Sequence, residues 1–336
     1  MYRRIFAAGV VVIVLASATA AGQSAGKVSR VGLLEPFDPV VGAHLIDAFR
    51  QGLREAGWEE GRNLVIEMRF AEGRLERLPS LAAQLAQLQP DVIVAGGTPA
   101  IRAVRAAAPK TPIVMSAVGD PVAEGFAKSL AKPGGNITGV TVQSPELSAK
   151  RLQLLKETVP RVSRVAIIWD PAIVHELHGF KEAESVAPTL GVVVLSSVVK
   201  RAEDLEPAFA GMVRDRANGV FVFPNSITTT YGRRVAELAL KHRLPAIFGV
   251  RETAEVGGLL SYGPARTENY RRAAGRLGAH SMTWSARTRS DRGIVSPSAF
   301  AVLRLMTSSN FVGCWIGRSA GCAPLSTWLT KPAARR

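Results

Sequence analysis

The chain has 336 residues, 47% hydrophobic and 21% charged, which is enough for two domains with sizeable cores and excludes a disordered, fibrous or short disulfide-stapled protein. Its formal net charge of +15 is unevenly spread: residues 275–336 hold nine Lys/Arg against one acid, Asp291, whereas 27–274 hold 31 Lys/Arg against 26 Asp/Glu. With that modest balance in the body, no basic run interleaved with aromatics and no zinc-finger or RNP-like motif, nucleic acid is not an expected partner.

Arg3 and Arg4 precede an apolar run at 5–15 and the small residues Ala18-Thr19-Ala20. This is the layout of a secretory signal peptide, read here as residues 1–25 with cleavage near 20–25. The run is too short for a comfortable membrane span; an uncleaved anchor is the alternative. No cysteine sits near the cleavage site, so a lipid anchor is not expected, and the exported product is expected to be soluble in the periplasm. Both cysteines, Cys314 and Cys322, lie near the C-terminus, so nothing before residue 275 forms a disulfide or a thiolate metal site.

From residue 28, apolar runs alternate with helical periods. Strands are predicted at 28–34, 64–70, 91–95, 112–117 and 136–141. Between them come helices at 45–56, stopped by Gly57, at 75–88, stopped by Pro90, and from the turn Gly96-Gly97-Thr98-Pro99 to 107. A short helix is predicted after Gly119-Asp120-Pro121. The rhythm then restarts with a helix at 145–158, a strand at 164–169 ending in Asp170-Pro171, and a helix reaching 190. Further strands are predicted at 192–198, 219–223, 245–250 and 259–262, with helices at 205–214, 226–242 and 267–274. Arg233, Arg234, Lys241 and Arg243 read as a solvated helix face. Two successive βα series imply an α/β protein of two parallel-sheet domains, and the unbroken apolar strands suit sheets covered on both faces.

In open α/β sheets, ligands lie beyond the carboxyl ends of the strands. Candidate positions there are Glu35-Pro36-Phe37, Gly97-Thr98-Pro99, Ser116 to Pro121, Asp170-Pro171, Pro224-Asn225-Ser226 and Phe248-Gly249. The hydroxyls of Thr98 or Ser226, with helix-start N–H groups, suit a carboxylate. Asp120 or Asp170 suits an amino group, and Phe37 an apolar or aromatic part. Each of these residues is equally suited to an ordinary cap or tight turn. Enzyme signatures are missing: Gly96-Gly97-Thr98 lacks the later glycine of a dinucleotide fingerprint, and neither a GxSxG elbow nor a GxxxxGK[ST] loop occurs. His175 and His178 sit three apart without an evident third ligand, which favours solvated surface histidines over a metal site. No cofactor and no metal are implied.

The stretch from Arg30 to Ala274 resembles the ABC-transporter substrate-binding proteins that include the tryptophan/tyrosine-type binding proteins. RVGLLEP (30–36), FRQGLREAGWEEGRNLVIE (49–67), RLPSLAAQLAQLQPDVIVAGGTPA (77–100), PIVMSAVGDPV (112–122), PGGNITGV (133–140), KRLQLLKETVP (150–160), GVFVFPNS (219–226) and LPAIFGVRETAEVGGLLSYG (244–263) carry the likeness. It implies two Rossmann-like lobes of the type I periplasmic binding protein kind, hinged around a central cleft. Lobe 1 would be 28–140 plus 264–274 and lobe 2 would be 141–263, with crossovers at 138–142 and 259–264. It also implies that Thr98, Asp120, Asn225 and Tyr262 face the cleft; Asp170 stands where the family often has Asn. The candidate ligand set is therefore Phe37, Thr98, Ser116, Asp120, Asp170, Asn225, Ser226 and Tyr262.

After residue 274 the likeness stops, and 275–336 is a basic tail without a sustained period, read as a frameshift product or as a membrane-facing extension. The implied function is the periplasmic solute-binding component of an ABC importer, a monomer that closes on a small molecule such as an aromatic or branched amino acid and presents it to a membrane permease. No catalysis is expected; the competing readings are an exported enzyme and a ligand-sensing module using the same cleft.

Overall fold

Apolar runs such as Val31 to Leu34 and Ile113 to Met115 leave water only if both faces of their strand are covered, and the chain achieves this with helices on each side of two sheets. A computed structural model describes residues 28–142, 147–281, 299–307 and 310–316. In the first unit, here lobe 1, the elements are β1 (Ser29–Glu35), α1 (Ala43–Glu55), β2 (Leu64–Phe70), α2 (Leu78–Gln87), β3 (Val92–Gly96), α3 (Gly97–Ala107), β4 (Ile113–Val118) and β5 (Ile137–Thr141). The strands are parallel, in the order β2-β1-β3-β4-β5.

Lobe 2 repeats the plan. Its elements are α4 (Leu147–Thr158), β6 (Arg164–Trp169), α5 (Val174–Val186), β7 (Val193–Val198), α6 (Leu205–Arg214), β8 (Gly219–Val222), α7 (Ser226–Thr230), α8 (Gly232–Lys241), β9 (Ala246–Phe248), α9 (Arg251–Glu255) and β10 (Leu260–Pro264). The parallel order β7-β6-β8-β9-β10 is the lobe 1 order over again. The expected pair of α/β lobes is present.

Helix α10 (Arg266–Ser281), the last among the described residues, leaves β10 of lobe 2 but buries Tyr270, Ala273, Ala274 and Leu277 in lobe 1, against Phe49 and Leu53 of α1. Fully burying a side chain of that size stabilises by about 1.5–3 kcal/mol, so α10 is anchored in lobe 1. The approach to α1 is close: a Cβ on Gly52 would collide with the Arg271 carbonyl and lie 2.9 Å from the Ala274 Cβ.

Several local expectations change. The helix predicted at 226–242 is two helices, parted at Tyr231 (φ −99°, ψ 24°) just before Gly232. No helix follows Pro121; Asp120 closes a turn there instead, its Oδ1 accepting from the N–H groups of Val122 and Ala123. The helix predicted to reach 190 starts at Val174 and passes at Ala187 into a 3-10 turn containing Pro188. Helix α9 was not foreseen, and α10 runs past residue 274 to Ser281. Beyond it, β11 (Ala299–Thr307) and β12 (Asn310–Ile316) extend the lobe 2 sheet antiparallel from β10, although no strand period is evident there. An open strand edge offers unpaired backbone N–H and C=O groups, which any extended chain can pair. The signal-peptide expectation and Cys322 lie outside the described residues.

Candidate functional site

The matching strand orders place a reversal between β1 and β3 in lobe 1 and between β6 and β8 in lobe 2, the points where an α/β sheet opens a crevice. The two crevices face each other across a cavity of about 80 Å³. Its lobe 1 wall is Glu35 to Phe37, Gly96 to Pro99 and Ala117 to Gly119; its lobe 2 wall is Ile173, His175, Pro224 to Ser226, Thr229, Gly249 and Val250. Pro264 at the end of β10 and Arg266 and Tyr270 on α10 complete the lining.

Glu35 ends β1 and is completely buried. Gly96, on the neighbouring strand, leaves room for its carboxyl; a side chain there would collide with Glu35 Oε2. Tyr270 Oη donates to Glu35 Oε2 at 2.8 Å, while Oε1 has no hydrogen-bond partner. Burial raises the Glu35 pKa to about 8, against the opposing pull of the Tyr270 hydrogen bond and the Arg266 charge. Burial thus favours the protonated form of this carboxyl at neutral pH.

Arg266 and Tyr270 lie four residues apart on α10 and so share a helix face. The Arg266 guanidinium sits 5.7 Å from the centre of the Phe37 ring, a cation–π distance. Its Nη1 has no hydrogen-bond partner and lies 3.8 Å from Glu252 Oε1. Burial pushes the Glu252 carboxyl up, but Arg266 and the His44 hydrogen bond outweigh it and bring the pKa to about 2. Thr98 stands in the first turn of α3, 4% exposed, and its Oγ1 is also unpartnered. Before it, Gly97 has φ +76°, a conformation that favours glycine and lets the helix start directly off β3.

On the lobe 2 side, Asn225 caps α7: its Oδ1 accepts from the Thr228 N–H at 2.9 Å, and its own N–H donates to Thr228 Oγ1. Behind it lies buried Glu176, whose Oε2 accepts from the Asp170 N–H at 2.6 Å and from Asn225 Nδ2 at 3.4 Å. Burial raises the Glu176 pKa to about 8. His175 departs from expectation. His178 is exposed, but His175 is buried on the stripe it forms with Gly179 and Ala183 along α5, and it lines the cavity. Burial lowers its pKa to about 4, although Asp120 pulls the other way.

Of the candidate residues, Phe37, Thr98, Asn225 and Ser226 line the cavity together. The other four do not. Ser116 is buried behind the wall, 3.4 Å from the Ala95 carbonyl. Asp120 and Asp170 spend a carboxylate oxygen on N–H groups of their own turns, Val122 and Ala123 for the first and Ala172 for the second. Tyr262 packs against the lobe 2 core, and its carbonyl accepts from buried Arg151 Nε at 2.7 Å. Glu35, named at its strand end but given no ligand role, and Arg266, Tyr270 and His175, which strand-end reasoning passes over, also line the cavity. Their signals are a charge ending the apolar run VGLLE, an i,i+4 pair opening a helix, and a histidine four residues before a glycine.

The lobes also touch outside the cavity. The Val174 N–H donates to Glu124 Oε1 at 3.2 Å, His175 Nδ1 lies 4.0 Å from the same oxygen, and His44 Nε2 meets Glu252 Oε1 at 2.9 Å. Among the described residues no helix is long and apolar enough to cross a membrane, and no group of three or more His, Cys, Asp or Glu could hold a metal ion.

The family described as ABC transporter substrate binding protein matches residues 42–276. A tyrosine-binding protein from Clostridioides difficile (strain R20291) is 26% identical over 216 residues, a match spanning 64% of this chain and 61% of that protein. Among solved structures, a conserved domain protein from Vibrio cholerae superposes with a TM-score of 0.75 at 21% identity, covering 82% of this chain and 92% of that one. An ABC domain from Streptococcus pneumoniae in complex with L-Trp superposes at 0.73 with 20% identity, covering 82% and 91%. These structural likenesses carry the fold: two α/β lobes of the type I periplasmic binding kind.

Proposed function

The chain belongs to the ABC transporter substrate-binding protein family, and from that premise we propose that it captures a small molecule between its lobes outside the cytoplasm and hands it to the permease of an ABC importer. The observation that carries the reading is the interlobe cavity, walled by strand ends of both lobes and containing buried polar groups that the protein leaves unpaired. Unpaired buried donors and acceptors cost roughly 1–3 kcal/mol each, and a ligand that satisfies them recovers that cost on binding. The tyrosine-binding relative and the L-Trp complex support an amino acid as ligand, with aromatic or branched side chains favoured by the apolar lining.

Capture works by hinge closure with no covalent step. Lobe 1, taken as 28–140 plus 264–274, and lobe 2, taken as 141–263, separate about crossovers at 138–142 and 259–264. Opening breaks the His44–Glu252 and Val174–Glu124 contacts; ligand restores them, and the closed form is what the permease recognises. Export through the N-terminal segment places the protein where it meets solute. Mass spectrometry of small molecules retained through native purification, followed by calorimetry with the released compound, tests the reading. A stoichiometric amino acid that binds without being consumed supports it; turnover of the bound compound overturns it.

A further inference from the structure

His175 belongs to lobe 2 but is seated on lobe 1. It stands in the first turn of α5, and its imidazole lies flush on the backbone of Gly119, the residue after β4. A Cβ on Gly119 would collide with the ring and lie 2.6 Å from Nδ1. Gly119 is not among the glycines of positive φ, so its want of a side chain serves the ring and not a turn.

The same spot joins the lobes a second way. Helix α5 receives no side-chain cap from Ile173. Glu124 of lobe 1, its side chain fully buried, accepts from the Val174 N–H at 3.2 Å and so caps α5 from across the boundary. Its other oxygen accepts from Arg102 Nη2 at 2.6 Å. His175 Nδ1, 4.0 Å from Glu124 Oε1, has no hydrogen-bond partner.

We propose that His175 is an acid-released latch: the neutral ring fits its seat on Gly119 and lets the lobes close, whereas the charged ring leaves the seat for water, opening the cleft and freeing the solute. The proposal rests on the cavity closing around a solute.

An imidazolium has two N–H donors to satisfy, and the seat offers Nδ1 no acceptor within hydrogen-bond distance. The charged and titratable groups facing the ring are Asp120 and Glu124 of lobe 1, with Arg102 behind them, Arg151 on α4, and Glu176 and His178 on α5 itself. Glu35, Arg266 and Tyr270 line the same cavity. Burial, the largest influence, holds the His175 pKa down at about 4; Arg151 and His178 push the same way, and Asp120 opposes them. Asp120 Oδ1 is already engaged by its own turn. A ring released to water titrates near 6.5. Between those values the open form binds more protons than the closed one, so lowering the pH from 6.5 toward 4 favours opening.

The test uses the full chain with L-tryptophan as probe, by calorimetry from pH 7.5 to 4.5, and NMR of the histidine Cε1–H signals, that of His175 being assigned by its loss in His175→Gln. Affinity should fall by up to about tenfold per pH unit below 6.5 and be about 50–100-fold lower at pH 4.5 than at 7.5. With tryptophan bound, the His175 signal should titrate near 4. In Gly119→Ala, whose Cβ wedges the ring off its seat, the midpoint should move toward 6.5. His175→Gln should flatten the acid loss, and His178→Gln and His44→Gln should keep it. An unchanged acid loss in His175→Gln, or a midpoint near 6.5 with tryptophan bound, overturns the latch while leaving solute capture intact. If tryptophan does not bind, a compound retained through native purification replaces it. If none is retained, the capture reading fails, and the latch is decided on the empty chain by small-angle scattering: expansion at pH 4.5 in the wild type but not in His175→Gln supports it, and its absence overturns it.

Discussion

The two lobes share one strand order but meet the cavity in different states. Lobe 1, with α10, brings Glu35 Oε1, Thr98 Oγ1 and Arg266 Nη1, all buried and without a hydrogen-bond partner, the last in an ion pair with Glu252. Lobe 2 brings Asn225, whose side chain caps α7, together with Pro224, Gly249 and Val250; among the described residues, His175 Nδ1 is its one buried lining side-chain atom without a hydrogen-bond partner. A shared topology thus determines where a crevice opens and leaves its chemistry to the few residues at the strand ends. On the proposed function, lobe 1 would hold a ligand's polar groups and lobe 2 would supply the cover.

The sharpest way to break the comparison is Arg266→Ala. It removes a charge-assisted contact from the lobe 1 side and should weaken amino-acid binding by about 2–3 kcal/mol in calorimetry; a change confined to stability would mean Arg266 serves Glu252 alone. Next in size is a pH effect on folding. Glu35 and Glu176 titrate near 8 when folded and from about 4.5 when unfolded. Each stabilises the fold at low pH, and that contribution drains away as pH rises through the window between those values. Between pH 6.5 and 8 each accounts for a loss of about 2 kcal/mol, and Glu176→Gln should remove its share in urea unfolding at the two pH values. His175 acts with the opposite sign: its folded value of about 4 withdraws stability as pH falls below 6.5.

Smaller effects separate the lobes further. Thr98→Ala should cost about 1–2 kcal/mol in affinity, whereas Asn225→Ala should cost about 1 kcal/mol in stability through the lost cap and much less in affinity. Calorimetry and denaturant melts on both variants decide it, and an exchange of the two effects would reverse the roles of the lobes. Smallest is the half-exposed His44–Glu252 contact. His44→Ala should shift the balance toward open lobes by about 0.2–1 kcal/mol, visible as a larger radius of gyration by small-angle scattering.

Most strands could be read from the chain because a doubly covered sheet writes itself as unbroken apolar runs, as at 113–115 and 165–168. The strand-end rule likewise pointed to the neighbourhood of Phe37, Thr98, Asn225 and Ser226. It misjudged which carboxylate faces the cavity. An Asp followed by a turn has donors two and three residues ahead, as Asp120 has in Val122 and Ala123, and these nearby N–H groups are satisfied first. Glu35 ends a strand whose backbone is already paired, so its carboxyl has no such local partner. Arg266 and Tyr270 escaped notice because they reach the cavity from 230 and more residues further on, through a helix whose docking in lobe 1 depends on its contact with α1.

That docking makes Gly52 a point of genetic vulnerability far from the cleft. Its missing side chain is what lets the Arg271 carbonyl settle against α1, and α10 carries Arg266 and Tyr270 on the same rigid rod. Any larger residue at 52 would lift the rod and misplace both groups without altering a single lining residue. In a selection for lost solute uptake, Gly52→Ala should therefore surface among alleles of the cleft itself. Partial revertants should map to Ala274, where Ala274→Gly restores some of the clearance, and not to the residues around the ligand.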